Sequence, residues 1–218
     1  MTMVIMKSRN RATTWRTSWI MVFGLCAALA WVGLMVAPAY AGAPTDSMRA
    51  TIDEVLRIIR EKELKHPAKS QERRLQLEKV VGARFDYQEM SRRALGAPWN
   101  TLSEQERQEF VALFQTLLTN SYADKIETYS GEGVQFLTER TEKDYAEVRT
   151  KVLSGKTEIP LDYRLINKSE DWRVYDVVVD GISLVNNYRG QFTKILRASS
   201  YSDLVEQLRK KSDRLKSP

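Results

Sequence analysis

The chain has 218 residues, with 34 Lys plus Arg against 28 Asp plus Glu, a single Cys and a single His. Four of those cations and none of the anions lie in the first 41 residues, which leaves 30 against 28, or +2, for the rest. That near-balance takes away the main support for a nucleic-acid partner, which needs a clustered cationic footprint, and one histidine with one cysteine argues against a zinc site.

Lys7, Arg9, Arg11 and Arg16 form a basic n-region, Trp19 to Val36 is free of charge, and Ala39-Tyr40-Ala41 has the small-x-small form of a cleavage site. The reading is a signal peptide over 1–41 and one exported domain over 42–218. The apolar run approaches the ~20 residues of a membrane helix, so an uncleaved anchor is the alternative. Cys26 lies inside this segment, and the exported part must therefore be stabilised by a core without disulfides.

Met48, Ile52, Val55, Leu56 and Ile59 recur at helical spacing until Lys65-His66-Pro67 breaks the pattern, and a second helix starts at Ser70 with Leu75, Leu77, Val80 and Val81. Asp86 and Glu89 have capping-box spacing ahead of Met90 and Leu95, and Gly96 with Pro98 ends that short helix. Ser103 and Glu106 repeat the signature. Behind them Phe110, Leu113, Phe114, Leu117, Leu118, Tyr122 and Ile126 make the widest apolar stripe in the chain, which reads as the main lid over a sheet.

From Gly131 the period becomes alternating. Val134, Phe136 and Thr138 form one strand, Ala146, Val148, Thr150 and Val152 a second, Leu161, Tyr163 and Leu165 a third, and the run Asp171 to Val185 a fourth. In that fourth strand strict alternation puts Val174 and Val178 on one side and Tyr175, Val177 and Val179 on the other, so both faces need apolar cover. Asn187 to Ala198 and Asp203 to Leu215 return to helical spacing. The sum is an α+β fold, N-terminal helices packed on a four-stranded twisted antiparallel sheet and followed by C-terminal helices.

Met90-Ser91-Arg92-Arg93-Ala94-Leu95-Gly96, Trp99, Gln108-Glu109-Phe110, and Trp172 to Val185 running into Tyr188-Arg189-Gly190-Gln191-Phe192 together resemble the MlaC-like, or toluene-tolerance, family. The likeness covers about Ile52 to Leu215. It implies an NTF2-like cone with a hydrophobic pocket, in a soluble periplasmic carrier with no cofactor and a phospholipid as cargo. The implied partners are an outer-membrane lipoprotein complex and the substrate-capture protein of an inner-membrane ABC transporter, and the implied role is upkeep of outer-membrane lipid asymmetry. A hopanoid-type lipid is the alternative cargo, and a monomer without nucleic acid is expected.

The expected lining of that pocket is Phe136, Val148, Val152, Tyr163 and Val177 from the sheet, with Phe114, Leu118 and Phe192 from the helices. Asp176, inside an apolar strand, must be paired or protonated, and Arg93 is the candidate partner, with a structural or headgroup-proximal role. A competing reading makes the fold an isomerase-type enzyme with Asp176 as base and Tyr163 or Tyr175 as proton donor. Ser183 lacks the full glycine pattern of a nucleophile elbow, and His66 before Pro67 sits in a loop, so no triad is expected. Arg209, Lys210, Lys211, Arg214 and Lys216 suit the C-terminal end of the last helix, or else an anionic surface.

Overall fold

The structure, a computed structural model, describes residues 43–216. The segment read as a signal peptide, with Cys26 and Ala39-Tyr40-Ala41, and the side chains of Arg214 and Lys216 lie outside the described residues. Helix α1 (Pro44–Arg60) opens the domain with Pro44 in its first turn, where the missing N–H costs nothing. Two single-turn 3-10 helices, Glu63–Lys65 and Pro67–Lys69, lead into α2 (Ser70–Arg84). Helix α3 (Tyr87–Leu95) follows, then a 3-10 segment Ala97–Thr101 and the long α4 (Glu104–Glu127).

The capping signals are real, with one amendment. Ser103 and Glu106 form the reciprocal box: Glu106 Oε2 accepts the Ser103 N–H at 2.8 Å and Ser103 Oγ accepts the Glu106 N–H at 3.3 Å. Asp86 Oδ1 accepts the Glu89 N–H at 2.9 Å, but Glu89 turns away to Arg92 and Arg93, because the Asp86 N–H is already donated to the Val174 carbonyl. That backbone bond fixes the α2–α3 junction to the sheet.

Five strands follow, not four: β1 (Gly133–Glu142), β2 (Tyr145–Ser154), β3 (Thr157–Lys168), β4 (Asp171–Val179) and β5 (Ile182–Ser183), paired antiparallel in sequence order. The run read as one strand to Val185 is cut by Asp180-Gly181, whose φ values of 49° and 79° are those of a two-residue hairpin turn. Helices α5 (Leu184–Ala198) and α6 (Tyr201–Lys216) complete the chain.

Two bulges overturn the simple alternation. Val174 pairs with Leu165 and Asp176 with Arg164, which leaves Tyr175 as an extra residue. Cross-strand partners share a face, so Val174, Val177 and Val179 lie with Leu165, Tyr163 and Leu161 on the inner face, and Val178 is on the outer one. Leu137 is the extra residue in β1, and it turns Thr138 toward the side of Arg149. The rest of the outer face of β2 and β3 is a lattice of ion pairs, Arg149 with Glu147, Lys151 with Glu158 and Arg164 with Glu147.

The lid over the inner face is α1, not α4. Met48, Ile52 and Leu56 pack on Ala146, Val148, Tyr163, Leu165, Trp172, Val174, Val177 and Leu184. Helix α4 instead forms the centre of a helical layer with α3, α5 and α6, in which Phe110 and Phe114 are wholly buried with Phe192, Tyr188 and Leu204. The reason is shape: α1 has one apolar stripe that suits a sheet, whereas the apolar residues of α4 spread over most of its circumference and leave a line through Glu104, Gln108, Ala112 and Gln115 exposed. Among the described residues no helix is long and apolar enough to cross a membrane.

Candidate functional site

The apolar interior is divided into three clusters, and its functional interest lies where they meet. The sheet cluster lies under α1, the helical cluster surrounds α4, and a small third cluster joins Ile58, Ile59 and Leu64 to Leu77 of α2. Phe85 and Tyr122 pack against both the sheet and the helical clusters, and Tyr129 against both the sheet and the third. Tyr129 is fixed by its hydroxyl, which lies 2.8 and 2.9 Å from the carbonyls of Gly133 and Leu153 and accepts the Gly133 N–H.

The eight expected lining residues are not gathered into one chamber. Val148, Tyr163 and Val177 are buried in the sheet cluster and Phe136 is half-buried against it. Phe114, Leu118 and Phe192 belong to the helical cluster, and Val152 is half-buried near the sheet end, paired with Val134 and Ile159. Neighbouring rows of the inner face run Val148, Tyr163, Val177 and Thr150, Leu161, Val179. Burial pushes the ionisation of the Tyr163 hydroxyl above the ordinary tyrosine range. It stays protonated and able to donate.

Two hollows flank this interior. A wide depression of about 680 Å³ is lined by Asp53, Leu56, Arg57, Arg60, Glu61, Lys62 and Glu63, a wall too charged to hold hydrocarbon. A cavity of about 60 Å³ between α2 and α4 has the opposite character, with Leu77, Val81, Tyr87, Thr119, Tyr122, Ala123 and Ile126 inside and Arg74 and Glu78 at its partly exposed side. None of the eight expected residues lines either.

Asp176 is paired, but not with Arg93. Its Oδ2 lies 3.2 Å from Arg164 Nη1 and accepts from Ser183 Oγ at 2.6 Å, and its Oδ1 accepts the Val185 N–H at 3.0 Å. The carboxylate therefore holds the start of α5, where anionic charge is favourable, and Ser183 is the N-cap, its Oγ accepting the Asn186 N–H at 3.0 Å. Arg93 is drawn elsewhere, its Nε 2.7 Å from Glu89 Oε1 and its guanidinium 4.0 Å over the Tyr175 ring. The register explains the switch: Arg164 is directly opposite Asp176 on β3. The same register places Tyr163 on the inner face and Asp176 on the outer one, so the two cannot converge on one substrate as an acid and base pair.

Glu89 is nearly buried, and hydrogen bonds from Arg92 outweigh its desolvation, with Arg93 adding to them; its carboxyl is held down at about 2. Because the native value is lowered, its contribution to stability is complete above the ordinary 4.5 and is lost as pH falls toward about 2. Glu89→Gln should therefore be less stable than the parent at neutral pH, with the gap in urea midpoint closing across that acid window. A gap that stays constant with pH would contradict this role. At the other end of the domain, Arg209 pairs with Glu109 of α4, Lys210 pairs with Glu206, and Lys211 Nζ lies 5.9 Å from the Tyr188 ring. These three cations of the basic helix thus have intramolecular partners.

The arrangement defines a class: an α+β protein with helices packed on a five-stranded antiparallel sheet. A solved phospholipid-binding protein from Ralstonia solanacearum, in complex with a phospholipid, has this fold with a TM-score of 0.73 and 23% identity, covering 80% of this chain and 99% of that one. Residues 49–210 match the family described as MlaC protein, and the chain belongs to that family. It is 24% identical over 122 residues to the intermembrane phospholipid transport system binding protein MlaC of Haemophilus influenzae, an alignment spanning 53% of this chain and 57% of that relative.

Proposed function

We propose that this protein is a phospholipid carrier of the periplasm, exported by its first 41 residues and acting as a monomer. It takes lipid from one membrane system, an outer-membrane lipoprotein complex, and passes it to another, the substrate-capture protein of an inner-membrane ABC transporter, and so serves outer-membrane lipid asymmetry. The observation that carries the reading is the family match over residues 49–210, which takes in every layer of the domain. The interior supports it, because its apolar surfaces are parted into clusters that touch through a few aromatic rings.

The energetics of such a carrier follow from burial. Each methylene taken from water is worth about 0.8 kcal/mol, so one chain of about 16 carbons is worth on the order of 12 kcal/mol, and free lipid is negligible. A void of several hundred Å³ held open in an apolar interior would cost on the order of 10 kcal/mol at ~24 cal/mol per Å³, comparable to the stability of a whole domain. A carrier therefore keeps its interior closed and opens it only as hydrocarbon enters. No bond is made or broken, and Asp176, committed to α5, is free for no base chemistry.

Transfer of fluorescent phospholipid between donor and acceptor vesicles tests the reading. The protein should raise the transfer rate in proportion to its concentration, with no change in the lipid's chemical identity. A rate equal to that of vesicles alone, at any protein concentration, would reject the carrier.

A further inference from the structure

The charge of the domain is unevenly placed. From Arg57 to Arg84 there are nine Lys plus Arg against four Asp plus Glu, or +5, while the rest of residues 42–218 holds 21 against 24, or −3. A domain close to neutrality as a whole thus has one cationic region, made of the last turn of α1, the two 3-10 turns and α2. Those turns pack on α2 and on each other, which keeps their cations together on the surface.

Within that region arginine and lysine are used differently. Arg57 is held by Glu54, Arg60 by the Gly131 carbonyl, Arg74 by Asn120 and Glu78, and Arg84 by Asp171 and the Trp172 carbonyl. Lys69 pairs with Glu72 at 2.7 Å. Lys62, Lys65 and Lys79, by contrast, are exposed and make no ion pair among the described residues. Leu75, one helical turn before Lys79 and therefore its neighbour on the solvent face of α2, is 59% exposed. The buried side of the helix is fixed, with Leu77 set among Ile58, Ile59 and Leu64 and α2 packed along α1, so this face is presented by a rigid element.

The charge calls for an anionic partner, and the side chains decide its class. Protein interfaces favour Arg, whose planar fork fixes a carboxylate in one geometry, and are depleted in Lys. A bilayer surface is a diffuse layer of phosphates above hydrocarbon, which suits mobile ammonium groups and an aliphatic side chain able to enter between headgroups.

We propose that the outer face of α2, with Lys62, Lys65, Lys69, Leu75 and Lys79, is the surface by which this protein settles on an anionic phospholipid bilayer. The inference goes beyond the carrier reading and stands without it, because docking needs no lipid to leave the membrane. Each lysine at such a surface is worth about fivefold in partitioning, so a few of them give an attachment that is weak and reversible.

Co-sedimentation with vesicles of phosphatidylcholine, with and without phosphatidylglycerol, tests it. The protein should be carried down by the mixed vesicles at low salt, and should stay in solution with pure phosphatidylcholine or at about 1 M salt, where charges are screened beyond about 3 Å. The triple variant Lys62→Gln/Lys65→Gln/Lys79→Gln should partition about a hundredfold less and Leu75→Gln several-fold less, both with melting temperatures close to the parent's. Lys143→Gln/Lys156→Gln/Lys194→Gln removes the same charge from other elements and should bind far better than the first triple. Equal losses in the two triples would mean that net charge alone attracts the protein, and would overturn the surface, as would a parent that no vesicle retains. Retention on immobilised polyglutamate but not on vesicles would assign the face to an acidic protein and likewise overturn it. Lipid transfer that persists without docking would leave the carrier standing, whereas docking without transfer would reject the carrier alone.

Discussion

Replacing Phe114 by Ala should lower the stability of the domain by about 3–5 kcal/mol, the largest loss expected from any single truncation in the helical layer. Phe114 is wholly buried, and its ring centroid lies 5.2 Å from Tyr188, 5.5 Å from Phe192 and 6.0 Å from Phe110. Two of these contacts are edge-to-face, the geometry in which aromatic pairs contribute beyond burial alone. Because the cluster is enclosed by α3, α5 and α6, the hole cannot collapse from one side. Phe114→Leu should recover most of the loss. Urea unfolding of the two variants without lipid checks this, and a Phe114→Ala midpoint close to the parent's would mean that the ring faces a space able to close.

The second large effect is expected at Asp176. Asp176→Ala removes three charge-assisted contacts at once and should cost about 3–4 kcal/mol, since bonds to a charged group run about 1.5–3 kcal/mol each and Arg164 recovers part of its share from water. The buried Val185 N–H has no such recourse. Ser183→Ala, which removes only the N-cap, should cost about 1 kcal/mol. If Asp176→Ala proved no worse than Ser183→Ala, the carboxylate would not be what anchors α5. Asp176→Asn keeps one acceptor oxygen and should fall between them, and lipid transfer by folded Asp176→Asn should persist.

Much of the architecture is written in periodicity. The Ser103 and Glu106 box, the stripe of α1 and the change to alternation after Gly131 all declare themselves, because capping and periodicity are local properties of the chain. The bulges at Tyr175 and Leu137 do not, since one inserted residue leaves the composition of a strand unchanged while reversing every face beyond it. Asp180-Gly181 carried a hairpin signal that the surrounding valines concealed. The helix read as a lid over the sheet shows the limit of counting apolar residues: α4 is the most apolar helix of the domain, and for that reason it is sunk among helices.

The site was less legible. The residues expected to line a pocket are apolar and buried or half-buried, yet the side chains that join the clusters include Phe85 and Tyr129, which that list lacked. Phe85 was findable, because an apolar residue just before the Asp86 N-cap packs toward the fourth helical position, here Met90, as a hydrophobic staple. Tyr129 gave no local sign, since its importance comes from the Gly133 and Leu153 carbonyls brought to it by the β1–β2 register. The Arg93 and Asp176 pairing failed for a related reason. Which arginine faces a buried carboxylate is decided by strand register, and Arg164 and Arg93 look alike in sequence.

Native mass spectrometry of the protein, purified without detergent, tests the central claim most directly. The carrier predicts a folded protein with a mass increment equal to a phospholipid, removed by organic extraction and restored on mixing with phospholipid vesicles. Bare protein from repeated preparations, which takes up nothing from those vesicles while remaining folded, would contradict it.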